Sequence, residues 1–214
     1  MPKLKPETQT ARRAAILDAA EVCFARSGFH RTTMNDICAE AGISPGAFYV
    51  YFASKEDLIA GICERDRAEF GERFQYLSEA SDILTALSEI AKVYLVDQPK
   101  HKRQLCIEIG AEATRNPRVR EVFTAVEAFV EDSFTTLIAR LAAEGRVKPQ
   151  HDPRTAARLI LILGDGLFWR TGISPEFEAE RILPSVIVTI GTLLGLESMT
   201  EDKTKTAFME TVGS

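Results

Sequence analysis

The sequence predicts an all-α protein of about nine helices, and three observations carry that expectation. A capping residue stands before proline four times, at Ser44-Pro45, Asn116-Pro117, Asp152-Pro153 and Ser174-Pro175. The first residue of each pair can accept from free N–H groups, and proline suits the first helical position, where a missing N–H costs nothing. Two more starts, Thr33 with Asp36 and Ser54 with Asp57, carry an acid three residues after the cap, as in a capping box. Gly28, Gly42, Gly145 and Gly172 interleave as stop signals. Runs of alternating apolar and polar residues, the strand signature, are missing.

The elements follow in order. A first helix over about 7–27 places Ile16, Ala20, Cys23 and Phe24 on one face. A second runs over 33–41, a short third over 44–51 and a long fourth over 54–77. The fifth and sixth cover 81–97 and 101–115, the seventh 117–144, the eighth 153–170 and the ninth 175–194. Pro184 lies inside the ninth and predicts a kink or a late start there. The stretch 197–214 reads as a polar, loose tail.

Composition limits the function classes. Of 214 residues, 45% are apolar and 27% charged, which suits a globular core and excludes a mostly disordered chain. The longest uncharged stretch, 182–196, has 15 residues, too few to span a bilayer, so no membrane partner is expected. The first ten residues are polar and lack the apolar region of an export signal, which predicts a cytoplasmic protein. Cys23, Cys38, Cys63 and Cys106 form no CxxC pair, and His30, His101 and His151 are scattered. No metal, cofactor or disulfide framework is therefore expected, and the cysteines read as small core residues. Dinucleotide, P-loop, zinc-protease and serine-hydrolase motifs are missing as well.

A net charge of −5 argues against indiscriminate coating of nucleic acid. Residues 1–35 nevertheless carry six Lys or Arg (Lys3, Lys5, Arg12, Arg13, Arg26, Arg31) against three acids. A mildly basic end on an acidic body fits a local polyanion contact. The second and third helices, joined by Ala41-Gly42-Ile43, have the form of a helix-turn-helix. Ser44, Pro45, Gly46 and Ala47 lead the third helix and are small enough for close approach to a groove.

From Thr32 to Leu58 the chain closely resembles the signature of the TetR/AcrR family of bacterial transcriptional regulators. Phe48-Tyr49-Val50-Tyr51-Phe52 followed by Ser54-Lys55 is the most recognisable part. The resemblance is close over about residues 10–60; beyond them only helical layout and length agree. It implies a three-helix DNA-binding domain over 1–54, a ligand-binding and dimerisation domain over 55–196, and the tail 197–214. Carried over residue by residue, it implies phosphate contacts for Thr33, with Thr32 beside it, for Tyr49 and for Lys55. Met34 falls where some relatives place a base-reading side chain, and Tyr51 falls where many carry His. Phe48 and Phe52 read as core. The recognition helix holds no Arg, Lys, Asn or Gln, the strong readers of guanine and adenine. Readout is then expected from apolar contacts of Ala47 or Val50 to thymine methyls, from DNA shape, or from Asn35, Arg31 and the N-terminal arm.

The eighth and ninth helices are apolar on most faces, over 159–169 and 186–194. A helix apolar all round needs burial on all sides. A homodimer in which both helices of two chains form a four-helix bundle satisfies that need, with Gly164, Gly166, Gly191 and Gly195 allowing close approach. The resemblance implies the same pairing, and a two-fold dimer implies a palindromic operator. Phe70, Phe74, Tyr94, Leu105, Ile109, Phe123, Phe134 and Phe168 could line an apolar cavity or fill a core. Glu108, Glu112 and Asp165 are the polar candidates, with a salt bridge or solvent exposure favoured for Glu112. The reading is a ligand-responsive regulator, a repressor released from double-stranded DNA by a hydrophobic or aromatic inducer, with efflux genes as candidate targets. The alternative is a helical ligand-binding or enzymatic protein that retains a helix-turn-helix; no catalytic constellation supports an enzyme.

Overall fold

A computed structural model describes residues 6–174 and 176–196. The expected tail 197–214, Lys3 and Lys5 lie outside the described residues, as does Pro175. Among the described residues are nine α-helices and no strand. They are α1 (Pro6–Ser27), α2 (Met34–Glu40), α3 (Pro45–Phe48), α4 (Lys55–Glu79), α5 (Ile83–Lys92), α6 (Lys100–Ala113), α7 (Pro117–Ala143), α8 (Pro153–Ile173) and α9 (Ala179–Leu193).

The caps explain most of the starts. Asn116 Oδ1 accepts from the N–H groups of Arg118 (3.2 Å) and Val119 (3.4 Å). Asp152 Oδ1 accepts from those of Arg154 and Thr155, both at 3.1 Å. Asp82, which has no proline or acid after it to mark a helix start, does the same for Leu84 and Thr85. Two expectations near α9 fail for one reason. The Ser174 N–H bonds to Arg170 O at 2.9 Å, so Ser174 closes α8 instead of opening α9. Gly172 accordingly lies inside α8, and α9 starts late, at Ala179, with Pro184 in its second turn. The expected fifth helix also divides: beyond Lys92 the chain widens into a π-helical turn over Val93–Asp97.

The chain forms two compact units, with breaks after Ala68, Gln98 and Val126. Of the two expected boundaries, 54/55 falls inside the first unit, which α6 also joins, and 196/197 falls at the edge of the described residues. That unit combines α1–α3, the start of α4, α6 and the start of α7. Its core runs from Ile16, Leu17, Ala20, Cys23 and Phe24 through Ile37, Phe48, Phe52, Leu58 and Ile62 to Leu105 and Ile109. Leu105 and Ile109, expected beside a ligand, are thus core residues of the helix-turn-helix unit, and Phe123 packs on the same cluster.

The second unit combines the end of α4 with α5, most of α7, α8 and α9. Leu77, Leu84, Leu137, Leu141, Ile160, Leu167, Leu183 and Ile187 fill its core. Gly191 lets α9 come close to α5 within the chain, with the Leu84 side chain 3.1 Å from where a Cβ would stand, rather than serving the expected contact between two chains. Gly164 and Gly166 meet no neighbour within 4 Å in the single chain. Gly195 does something else. It ends α9 at φ +66°, with its N–H on Thr192 O (3.1 Å) and the next N–H, of Leu196, on Gly191 O (2.9 Å). This is the paired closure that needs a left-handed residue.

A Cβ on Gly195 would overlap the backbone oxygen of Lys148. Gly195→Ala therefore carries both left-handed strain and a backbone clash, and is expected to cost about 2 kcal/mol or more. A thermal melt followed by circular dichroism should show a fall of about 5 °C or more; an unchanged melt would refute this account of the turn.

Candidate nucleic-acid interface

The helix-turn-helix is built by three local devices. Thr33 caps α2 in a complete capping box: the Asp36 N–H donates to Thr33 Oγ1 (3.2 Å), and the Thr33 N–H donates to Asp36 Oδ2 (2.8 Å). The hydroxyl and backbone donors of Thr33 hold the Asp36 carboxyl below its ordinary value. Gly42, at φ +64°, ends α2 by the same paired closure as Gly195, with its N–H on Ala39 O and that of Ile43 on Cys38 O. Ser44 then caps α3, accepting from the Ala47 N–H at 3.3 Å, with Pro45 at the first helical position.

α3 has only four residues and depends on tertiary anchoring. Phe48 supplies it. The ring is fully buried, edge-on to Tyr49 (centroids 5.7 Å) and 6.3 Å from Phe52. The Phe48 carbonyl accepts from the N–H groups of Tyr51 (2.9 Å) and Phe52 (3.3 Å), which fixes the turn beyond the helix. With Phe48 inward, Ser44, Pro45, Gly46, Tyr49 and Val50 are exposed and Ala47 is half-buried. Tyr49 is 56% exposed, and its hydroxyl has no hydrogen-bond partner among the described residues.

Several expected DNA-contacting residues have other duties. Thr32 is buried, its Oγ1 lying 2.8 Å from Gly28 O and 3.0 Å from Cys23 O, so its hydroxyl is not available to a phosphate. Met34 and Tyr51 are half-buried against the core. Lys55 turns inward: its Nζ donates to Phe29 O, to Thr32 O (3.0 Å) and to His30 O (3.4 Å), and stands 4.4 Å from the centre of the Phe29 ring. Those carbonyls accept from its ammonium in the DNA-free chain. Arg31 and Asn35 are exposed, with Arg31 Nε on Ser27 O at 2.9 Å.

The same loop, between α1 and α2, is held from α6. Glu108 accepts from the Phe29 N–H at 2.7 Å. The buried Glu112 accepts from Arg115 Nε (2.8 Å) and lies 2.9 Å from His30 Nε2. Glu112 thus makes a salt bridge, while Glu108 anchors backbone where a ligand contact was expected. The sequence shows the two acids four residues apart on one face, but the backbone that Glu108 holds lies 79 positions away.

In the second unit, four expected ligand contacts converge. Phe70 stacks on Phe74 with centroids 5.4 Å apart, Phe134 meets Phe74 edge-on at 5.0 Å, and Tyr94 lies 6.3 Å from Phe70. Phe129, not among the expected residues, joins at 6.2 Å from Phe70, and Arg73 lies over the Tyr94 ring. Phe168 is half-buried against the unit's core. Asp165 stands on the open side of α8, yet surrounding apolar bulk pushes its carboxyl up from the ordinary value. The same loss of hydration, and then Asp165 itself, raise Glu127. Leu105, Glu108, Ile109 and Phe123 belong to the first unit.

Along α8, Ile162, Trp169 and Ile173 are exposed, with Gly166 between them. Steps of four, three and four residues put these positions on one stripe. Ile182 of α9 is exposed too, and no described helix is long and apolar enough to cross a membrane.

Comparison with known proteins agrees with this geometry. The family description "Bacterial regulatory proteins, tetR family" matches residues 16–62, and "BetI-type transcriptional repressor, C-terminal" matches residues 84–194. The HTH-type transcriptional regulator UidR of Escherichia coli (strain K12) is 30% identical over 182 residues, covering 85% of this chain and 89% of UidR. The structure of Salmonella enterica GusR superposes with a TM-score of 0.75 at 29% identity, covering 90% of this chain and 99% of GusR. That of SmeT in complex with triclosan gives 0.74 at 25% identity, covering 85% and 90%. Family and relatives alike are transcriptional regulators, not enzymes.

Proposed function

The chain belongs to the TetR family of bacterial transcriptional regulators, and on that footing we propose that it is a ligand-released repressor that binds a palindromic operator as a homodimer in the cytoplasm. The observation that carries this reading is the outward face of α3 and the turn after it, where Tyr49 and Val50 stand exposed on a segment anchored in the core by Phe48 and Phe52. Thr33, Ser44, Pro45, Gly46, Ala47, Tyr49 and Val50 touch DNA. Thr32, Met34, Tyr51 and Lys55 hold them in place.

The dimer forms through α8 and α9, whose exposed stripe needs a cover. Two-fold symmetry then presents two reading segments to successive major-groove faces, about 34–36 Å apart. The repressor role is supported by the description matched by residues 84–194. The inducer is hydrophobic or aromatic, a reading supported by the ring cluster around Phe70 and by the triclosan held by SmeT. Control of efflux genes follows from the family resemblance alone. An inducer that binds better to the form with misplaced reading segments draws the dimer off DNA.

A mobility-shift assay with duplex DNA from upstream of the protein's own gene tests the reading. The wild type is expected to shift such a duplex as a dimer. Tyr49→Ala is expected to weaken binding by about tenfold to a hundredfold, the worth of a charge-assisted hydrogen bond, with an unchanged thermal melt. A wild-type protein that shifts no specific duplex at low salt would refute the reading.

A further inference from the structure

The outward face of the reading segment is nearly devoid of side chains that could address a base edge by hydrogen bonding. Ser44 Oγ caps α3, the Thr33 hydroxyl donates to Asp36 Oδ2 at 2.7 Å, the Thr32 hydroxyl is buried and Lys55 is engaged with the α1–α2 loop. What remains outward is Pro45, Gly46, part of Ala47, Tyr49 and Val50. Val50, at 79%, is the most exposed of the large apolar side chains among the described residues. Its position is also well fixed. Phe48 and Phe52 are anchored in the core on either side, two N–H bonds to Phe48 O hold the turn, and a β-branched side chain has little rotameric freedom.

Every base pair shows donors or acceptors in the major groove, and only thymine adds an apolar group, its C5-methyl. An aliphatic side chain placed against guanine O6 or N7, or against an exocyclic amine, strips water from a polar atom and returns no hydrogen bond. Against a thymine methyl the same side chain buries apolar surface on both partners. Tyr49 differs, because its hydroxyl gives it a donor for a phosphate.

We propose that Val50 is a specificity-determining residue that reads thymine in each operator half-site through its C5-methyl group, with Ala47 and Gly46 permitting the close approach. This rests on the reading that the segment enters the major groove. It adds the base that is read and the atom that is read.

The test starts from in vitro selection of duplexes from a random library with the full-length protein. Each thymine of the selected half-site is then replaced singly by deoxyuridine, which removes the methyl and keeps the hydrogen-bonding edge. Affinity is measured by fluorescence anisotropy. At one thymine per half-site, uracil should weaken binding about fourfold, and about fifteenfold when both half-sites are changed, from the burial of one methyl-sized group in each. Val50→Ala should bind the thymine and uracil duplexes equally, with an unchanged thermal melt. An enriched duplex that tolerates uracil at every position would overturn the proposal, as would a Val50→Ala variant that keeps the full thymine-to-uracil ratio. A selection that enriches nothing has a different signature: the DNA-binding reading then fails, and this inference with it.

Discussion

Phe48→Ala is expected to destabilise the helix-turn-helix unit by about 3–5 kcal/mol, the range for emptying a fully buried phenylalanine site, and to abolish operator binding. The ring is fully buried and is the inward anchor of a helix only four residues long. The fragment cannot stay helical on intrinsic propensity, because one turn repays too little of the entropy of ordering it. Without the ring, Tyr49 and Val50 lose the support that points them outward. Urea denaturation followed by circular dichroism checks the stability, and the mobility-shift assay checks the binding. The contrast with Tyr49→Ala is diagnostic, since that variant should lose binding with no loss of stability. A Phe48→Ala protein that melts like the wild type would show that α3 is held by something other than its ring.

The second large effect should come from the other unit. The double change Ile162→Glu and Trp169→Glu puts two carboxylates on the exposed stripe of α8. Two copies would then bring four negative charges into a closed apolar contact, where unpaired charge is very costly. Sedimentation should find a monomer with wild-type helix content. Operator affinity should fall by about a hundredfold or more, because the two half-sites no longer reinforce each other through a common body. If the double variant sediments as a dimer, the covering surface lies elsewhere.

What could be read from the sequence was what depends on near neighbours. Thr33, Ser44, Asn116 and Asp152 cap helices where expected, since a cap bonds to N–H groups two or three residues on. Gly42 marks the turn for an equally local reason, its positive φ. Ser174 misled because the same residue type can close one helix as well as open the next, and its N–H went to Arg170. The bonds of Lys55 stayed hidden for a different reason. A cation near a DNA-binding motif suggests phosphate, but the acceptors that hold it lie more than twenty positions back and meet it only in the folded unit. Leu105 and Ile109 illustrate the same limit: periodicity assigns them to the buried face of α6 but does not say which core that face joins. The aromatic cluster was half legible; Phe70, Phe74, Tyr94 and Phe134 were found by residue type, while Phe129 needed its neighbours in space.

The loop between α1 and α2 is gripped by Lys55 from α4 and by Glu108 and Glu112 from α6, at separate atoms. The angle at which α2 leaves α1 therefore does not rest on the stiffness of the connecting chain alone, because braces from two separate helices set it. The α3 face can be altered by substitution without touching either brace.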